Sequence, residues 1–438
     1  MKAEIKKLAP KFLVGFYHYL TAFLGAVIYG FPSRKMTIIG VTGTKGKSTT
    51  VILAGKILEE AGFKVGWISS ATIKVGQKEW LNPYHMTMPG RFVLQKLMRQ
   101  MVNQRCQYCL VEVTSEGIAQ YRHKFINFKT AVFTNLRPEH IEAHGSFEKY
   151  REAKGKLFKA VKNIHIVNLD DNNAEYFLRF PAKKKIGYGF KISKFQISNT
   201  NDQKIFAKNF YETPSGANFQ IQNIDFSLKL VGGFNAYNAL AAICVGLSEG
   251  VLLEISKKAL EKINGLPGRM EVIIEKPFKV IVDLAHTPDS YEEVFNVVKK
   301  MPHNKIISIF GSAGGGRDKW KRPVLGKIAA KYSDFIILTN EDPYDENPLK
   351  IIEEIESGFS QIPNFIPQNA GPKYEKILDR REAIRKGLEM AKEGDIVLAL
   401  GKGAEQKMVI GANKIPWDDR EVVKEELKDK LNSVAILK

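Results

Sequence analysis

The 438-residue chain reads as an α/β protein. A P-loop, parallel-sheet central ATPase domain with a small antiparallel subsheet is expected, followed by a Rossmann-like C-terminal α/β domain. Three observations predict this. Apolar strand-like runs alternate with helical patterns from Thr37 onward; a glycine-rich turn follows the first of those runs; and the alternation resumes after Gly265-Leu266-Pro267-Gly268-Arg269, the expected hinge. The expected organisation is an apolar helical segment over 1–35, an ATP-binding domain over 36–267 and a second domain over 268–438.

Hydrophobic content of 44% and charged content of 26% belong to a folded protein, and the length exceeds what one core usually organises. The net charge of +19 suits an anionic substrate, a nucleic acid or an anionic membrane surface equally well. Three cysteines, Cys106, Cys109 and Cys244, make no disulfide framework. The single Cys-x-x-Cys lacks the further ligands of a zinc site, so a reducing, cytoplasmic compartment is expected, with Cys109 in the core.

In chain order, Phe12 to Phe31 contains no Asp, Glu, Lys or Arg, and Lys6, Lys7, Lys11, Arg34 and Lys35 flank it. The pattern leaves three options open: a helix packed on the body or a partner, interfacial membrane contact, or a membrane span. Thr37 to Thr42 is then a buried strand. Gly43-Thr44-Lys45-Gly46-Lys47-Ser48-Thr49 turns backbone N–H groups inward around an anion and opens a helix whose positive end adds to the attraction. Lys47 would reach the outer phosphates, and Ser48 or Thr49 would offer a hydroxyl to magnesium. Val41 occupies the position where the usual pattern has its first glycine. Helices are expected over Thr50–Ala61 and Phe92–Asn103, with strands over Val65–Ser70, Tyr108–Val113 and Thr130–Thr134.

Ligands of such a sheet gather at the carboxyl ends of its strands. There the chain carries Glu112-Val113-Thr114-Ser115-Glu116 and Thr134-Asn135-Leu136-Arg137-Pro138-Glu139-His140. Glu112 and His140 are candidate magnesium ligands. Tyr150 to Ala160 is a helix whose lysines 154, 156 and 159 would ordinarily line a solvated face. From Ile192 to Leu230 short alternating runs predict the antiparallel strands. An Ala-rich helix follows over 239–247. Lys279–Asp283, Lys305–Phe310, Phe335–Leu338 and Asp395–Leu400 are the strands of the second domain.

Taken in order, these motifs resemble the Mur ligases, ATP-dependent peptide synthetases of cell-wall precursor assembly, and most closely the muramyl-tripeptide synthetase branch. The resemblance runs from about Thr37 to Leu427. In that family the Gly43-to-Thr49 loop is the normal form. The resemblance implies that the site holds ATP and two magnesium ions, that Ser48, Glu112 and His140 bind magnesium, and that Lys154, in Tyr150-Arg151-Glu152-Ala153-Lys154, is carbamylated to become a further magnesium ligand. It also implies that Asn235 and Asn238 of Phe234-Asn235-Ala236-Tyr237-Asn238, with Arg269, Asp283, His286, Arg317 and Asp318, serve the nucleotide. Thr114, Ser115, Asp342, Pro343, Tyr344, Gly401 and Glu405 would bind substrate.

Three departures stand out. About 35 mostly apolar residues occupy the place of the branch's uridine-nucleotide-binding domain. Glu341-Asp342-Pro343-Tyr344 replaces Asp-Asn-Pro-Arg, whose arginine grips the distal carboxylate of diaminopimelate. Gly401-Lys402-Gly403-Ala404-Glu405 replaces Gly-Lys-Gly-His-Glu, and Glu116 stands where the family has a histidine. The expected reaction is addition of an amino acid, lysine or a similar diamino acid, to a muramoyl-dipeptide precursor through an acyl phosphate. The partners are that precursor and the amino acid, with no nucleic acid and with peripheral membrane contact through 12–31. The alternatives are a folylpolyglutamate-synthase-like ligase and a membrane-associated, nucleotide-switched binding protein.

Overall fold

The computed structural model describes residues 10–139, 141–191, 201–361 and 373–436, and the chain divides into two compact units. The first comprises residues up to Pro138 and His144–Ile263; the second comprises Glu139–Ala143 and everything from Asn264.

The first unit opens with helix α1, Lys11–Ile28. Its sheet is built from β1 Thr37–Thr42, β2 Val65–Ile68, β3 Thr72–Val75, β4 Lys78–Leu81, β5 Tyr108–Glu112, β6 Phe128–Phe133, β7 Ile164–Asn168, β8 Lys184–Gly189, β9 Gln203–Thr213, β10 Gly216–Ile221 and β11 Ile224–Leu228. The eleven strands lie in the order β11-β10-β9-β8-β7-β6-β1-β5-β2-β3-β4. From β9 to β2 all neighbours are parallel, with β1 between β5 and β6. Every residue of β5, and all but the first of β1, is buried, as helices on both faces require. The expected antiparallel strands are present from Gln203 onward and extend this same sheet through the parallel β8–β9 pair; Ser193–Thr200 and Ile192 lie outside the described residues. The hairpin of β3 and β4 closes the other edge. Helix α2, Lys47–Glu60, leaves the loop after β1, and helix α3, Arg91–Asn103, precedes β5.

The second unit holds β12 Glu271–Ile274, β13 Lys279–Asp283, β14 Ile306–Phe310, β15 Phe335–Leu338, β16 Lys373–Lys376 and β17 Ile396–Leu400, in the order β12-β13-β17-β14-β15-β16. All pairs are parallel except β12–β13. A separate hairpin pairs β18 Lys407–Ile410 with β19 Asn413–Pro416. Val280, Val282, Ile309, Ile337 and Ala399 form its core with Ala383, Ile384 and Leu388 of the helix over 380–390.

Candidate active site

The phosphate loop spans the gap between β1 and α2. Gly46 caps α2 with φ 77°, a left-handed conformation that favours glycine, and an added Cβ would collide with the Asn238 side chain. Asn238 Nδ2 in turn donates to Asn235 Oδ1 at 3.1 Å, and Asn235 Nδ2 to the Val231 carbonyl at 2.8 Å. Both asparagines thus sit at the start of the helix over 233–248, with Asn238 against the loop.

Four contacts from the end of β6 hold the loop's other side. Thr134 Oγ1 and Asn135 Nδ2 donate to the Lys45 carbonyl (2.7 and 3.1 Å), Lys45 N donates to Asn135 Oδ1 (3.0 Å), and Thr44 N donates to the Asn135 carbonyl (2.8 Å). Thr134 and Asn135 therefore fix the loop's shape.

At the loop's foot, Glu112 is 3% exposed at the end of β5. Its Oε2 accepts from Ser48 Oγ at 2.7 Å and from Ser70 N at 2.8 Å, while Lys47 Nζ lies 3.8 Å from Oε1. Ser70 Oγ is 2.6 Å from Ser48 Oγ. Lys47 Nζ also donates to the Thr44 carbonyl at 2.7 Å, curled against its own loop. Lys154 is 2% exposed, so a solvated face is ruled out for it: Nζ donates to the Gly43 carbonyl at 2.7 Å and lies 4.6 Å from the centroid of the Tyr150 ring. Tyr150 OH meets Thr44 Oγ1 at 3.1 Å. Thr49 is buried. The structure thus brings together Gly43 through Thr49, Glu112, Lys154, Asn235 and Asn238. His140 lies outside the described residues. Thr114 caps the helix over 115–119 by accepting from Gly117 N at 3.0 Å, and Ser115 is buried at its start.

A neighbouring pair was not foreseen. Arg91 and Arg122 interact electrostatically, and burial followed by this mutual repulsion lowers the Arg91 pKa. Arg122 donates to the Met88 carbonyl and to Gln120 Oε1, and Arg91 Nε donates to the Gln120 carbonyl. Arg91 Nη2 and Arg122 Nε remain buried without an acceptor, which suits an anionic group. No motif marks these arginines; the only sequence signal is a basic stretch without acids.

In the second unit, Asp283 ends β13 and accepts from Met270 N (2.7 Å) and Ala285 N (2.6 Å). Burial raises its pKa, against Arg269 and those two amides. Arg269 donates to the Gly268 carbonyl at 3.3 Å. His286 Nδ1 lies 2.7 Å from the Leu284 carbonyl and Nε2 lies 3.4 Å from Glu139. Asp318 accepts from Glu142 N at 3.1 Å, and Arg317 beside it is exposed. Lys402, wholly buried, donates to Asp342 (2.9 Å), to Glu405 (2.7 Å) and to the Lys407 carbonyl (2.7 Å). Burial alone would lower its pKa, but Glu405 and Asp342 outweigh that and hold it above the usual lysine range. Asp342 also accepts from Val409 N at 2.7 Å. Gly401, φ 108°, lies where a Cβ would meet Glu341. Tyr344 follows Pro343 with φ 52°, its ring against Gly315; burial, then Asp342, raise the phenol.

A glycine-rich loop closing on a buried carboxylate, a hydroxyl and two lysines, at the carboxyl ends of parallel strands, defines a P-loop enzyme that handles nucleotide phosphates. Residues 41–246 match the model of the Mur ligase middle domain, and residues 268–403 that of the Mur ligase, glutamate ligase domain. The chain belongs to the Mur ligase family, whose members are ATP-dependent, ADP-forming peptide ligases that use magnesium. It is 39% identical over 400 residues to the UDP-N-acetylmuramoyl-L-alanyl-D-glutamate–2,6-diaminopimelate ligase of Aquifex aeolicus, covering 91% of this chain and 79% of that protein. It is 37% identical over 417 residues to the UDP-N-acetylmuramyl-tripeptide synthetase of a Roseiflexus species, covering 90% and 79%. Its fold is similar to a solved diaminopimelate ligase of the same type (TM-score 0.58, 28% identity, 90% and 79% covered). The fold of MurF ligase from Thermotoga maritima in complex with ADP is also similar (TM-score 0.66, 18% identity, 94% and 84% covered).

Proposed function

We propose that this ligase joins an amino acid lacking a distal carboxylate, lysine or a similar diamino acid, to a muramoyl-dipeptide acceptor through an acyl phosphate. The observation that carries the reaction is the convergence of Lys47, Ser48, Glu112 and Lys154 around one loop. An acceptor carboxylate oxygen takes the γ-phosphoryl group of ATP, releasing ADP. The amine nitrogen then attacks the acyl carbon, phosphate leaves with its electron pair, and the nitrogen loses a proton. Lys47 and the loop amides offset the charge gathered on the transferring phosphoryl. The buried Glu112 carboxylate and the Ser48 hydroxyl fit a magnesium ion, as hard oxygen ligands at the loop's foot. A carbamate on Lys154, formed from the neutral amine and carbon dioxide with release of a proton to water, would add a further oxygen ligand, and two bound magnesium ions would supply Lewis-acid charge neutralisation. His140 is assigned to the second ion on the family resemblance alone. Arg91 and Arg122 suit the acceptor's anionic groups, and Asp283, His286, Arg317 and Asp318 are assigned to the nucleotide.

Specificity rests on Tyr344 with Asp342 and Glu405. A phenol cannot form the two-point, charge-assisted grip that an arginine offers a carboxylate. The acceptor's carrier, uridine nucleotide or lipid, is the variable to be tested. The enzyme is placed in the cytoplasm, where ATP is supplied, with peripheral membrane contact through residues 12–31. The test is ADP release across amino acids, with UDP-linked and lipid-linked muramoyl dipeptides as acceptors. Lysine-dependent release is expected; amino-acid-independent release overturns the ligase reading, and preference for meso-diaminopimelate overturns the specificity.

A further inference from the structure

Helix α1 is held by a narrow seam. Ala22 and Ala26 are buried, and Gly25 lies so close to α3 that an added Cβ would stand 3.5 Å from the Arg91 carbonyl and Phe92 Cα. Tyr19 and Phe23 stack edge-on against Phe125 at 5.1 and 5.3 Å, and Arg99 Nε donates to the Tyr29 carbonyl at 2.7 Å. The rest of the helix is apolar and exposed: Phe12, Phe16, Leu20, Val27 and Ile28 are 73, 63, 39, 46 and 66% exposed. Ten large apolar side chains of α1 are exposed, as many as on all other described residues together. Such a patch on one helix calls for a cover. No helix among the described residues is long and apolar enough to cross a membrane, and the seam to α3 ties one face of α1 to protein.

Charge decides what covers it. Residues 11–35, 91–105 and 120–125, which carry α1, α3 and the loop under Tyr19, hold seven lysines and arginines besides Arg91 and Arg122, and no acid. A two-fold dimer through this face would set that basic collar against its own copy, which repels; an anionic lipid surface complements it. We propose, building on the peripheral contact read above, that α1 lies in the plane of an anionic bilayer as a rigid fin, its apolar face among the acyl chains and the basic collar at the phosphate headgroups. The attachment through α3 and Phe125 makes it part of the catalytic unit and fixes how that unit meets the surface.

The experiment floats the full-length protein with vesicles of phosphatidylglycerol and phosphatidylcholine, or phosphatidylcholine alone, and records oligomeric state and ADP release with a soluble UDP-linked acceptor. Strong flotation with the anionic vesicles only is expected. F16D/L20D, at exposed positions, should weaken it more than tenfold with the soluble-acceptor rate unchanged, and R34Q/K35Q about tenfold. Equal binding of wild type and F16D/L20D, indifference to lipid charge, or a dimer that F16D/L20D converts to monomer would each overturn the proposal. Loss of amino-acid-dependent ADP release in the wild type would instead sink the ligase reading and leave the flotation result standing.

Discussion

Two buried lysines, one in each unit, show how burial can serve opposite ends. Lys402 has two carboxylates and a backbone carbonyl around its Nζ, and these keep it charged. Lys154 is as deeply buried, and its partners include the Gly43 carbonyl of the phosphate loop and the Tyr150 ring. The same contrast separates the carboxylates. Asp342 is saturated by Lys402 and Val409 N, whereas Glu112 is met by a hydroxyl, an amide and a lysine at 3.8 Å, donors that a cation can displace or join. A saturated ion cluster holds its segments together; a carboxylate with exchangeable donors is open to a ligand.

The largest effects should therefore fall on the loop and the lysine that rests on it. Lys154→Ala is expected to be inactive, and short carboxylic acids that occupy the place of the proposed carbamate should partly restore turnover. An active alanine variant would reduce Lys154 to a prop for Gly43. Lys47→Ala should lower turnover about 100-fold or more while the protein stays folded, because the lost group acts on charge that develops during transfer. Steady-state ADP release alongside a melting curve checks both.

Lys402 should respond in stability instead. Lys402→Met leaves Asp342 buried without its cation, and removing one partner of a buried pair costs about 3 kcal/mol or more. A melting temperature equal to wild type would show that the cluster contributes no net stability and would dissolve the contrast with Lys154. Tyr344→Arg comes next: the residue's left-handed backbone is tolerated without a β-branch, and a new guanidinium should shift the preference toward meso-diaminopimelate by about tenfold. Competition between the two amino acids reads this directly.

How much of this could be read in the chain depended on whether the chemistry was local. The loop and Glu112 lie in contiguous motifs at strand ends, so their residue types announce them; Lys154 is singled out by the family resemblance alone, since its residue type reads as a solvated face. What Thr134 and Asn135 do was not legible, since it consists of hydrogen bonds to a carbonyl and an amide 89 or more positions away. Arg91 and Arg122 likewise became a pair only when α3 and the loop after residues 115–119 met. The edge hairpin β3–β4 has strands of four residues around Gly76, too short for periodicity to register. The apolar run over 12–31 was visible at once, but its division into a small-residue seam and an exposed face depends on the partner helix.

The smallest expected effect is on the pH dependence of stability, and its sign follows from the same lysine. The Lys402 ammonium is held above its unfolded value of 10.5 by Glu405 and Asp342, in spite of burial. The folded state therefore binds a proton that the unfolded state has begun to release, so this contribution is fully present below about pH 10.5 and is lost as pH rises through the folded pKa. Lys321 runs the other way: burial lowers its pKa below 10.5 even with Glu341 nearby, so the unfolded chain holds the proton longer and stability rises with pH below 10.5, between the folded and unfolded values. In the wild type a gain below pH 10.5 is followed by a loss above it. Lys402→Met should remove the loss in stability above pH 10.5, and Lys321→Met should remove the gain below it. Melting temperatures at intervals from pH 8 to pH 11.5 test this, and identical slopes in the three proteins would mean that neither lysine changes its proton affinity on folding.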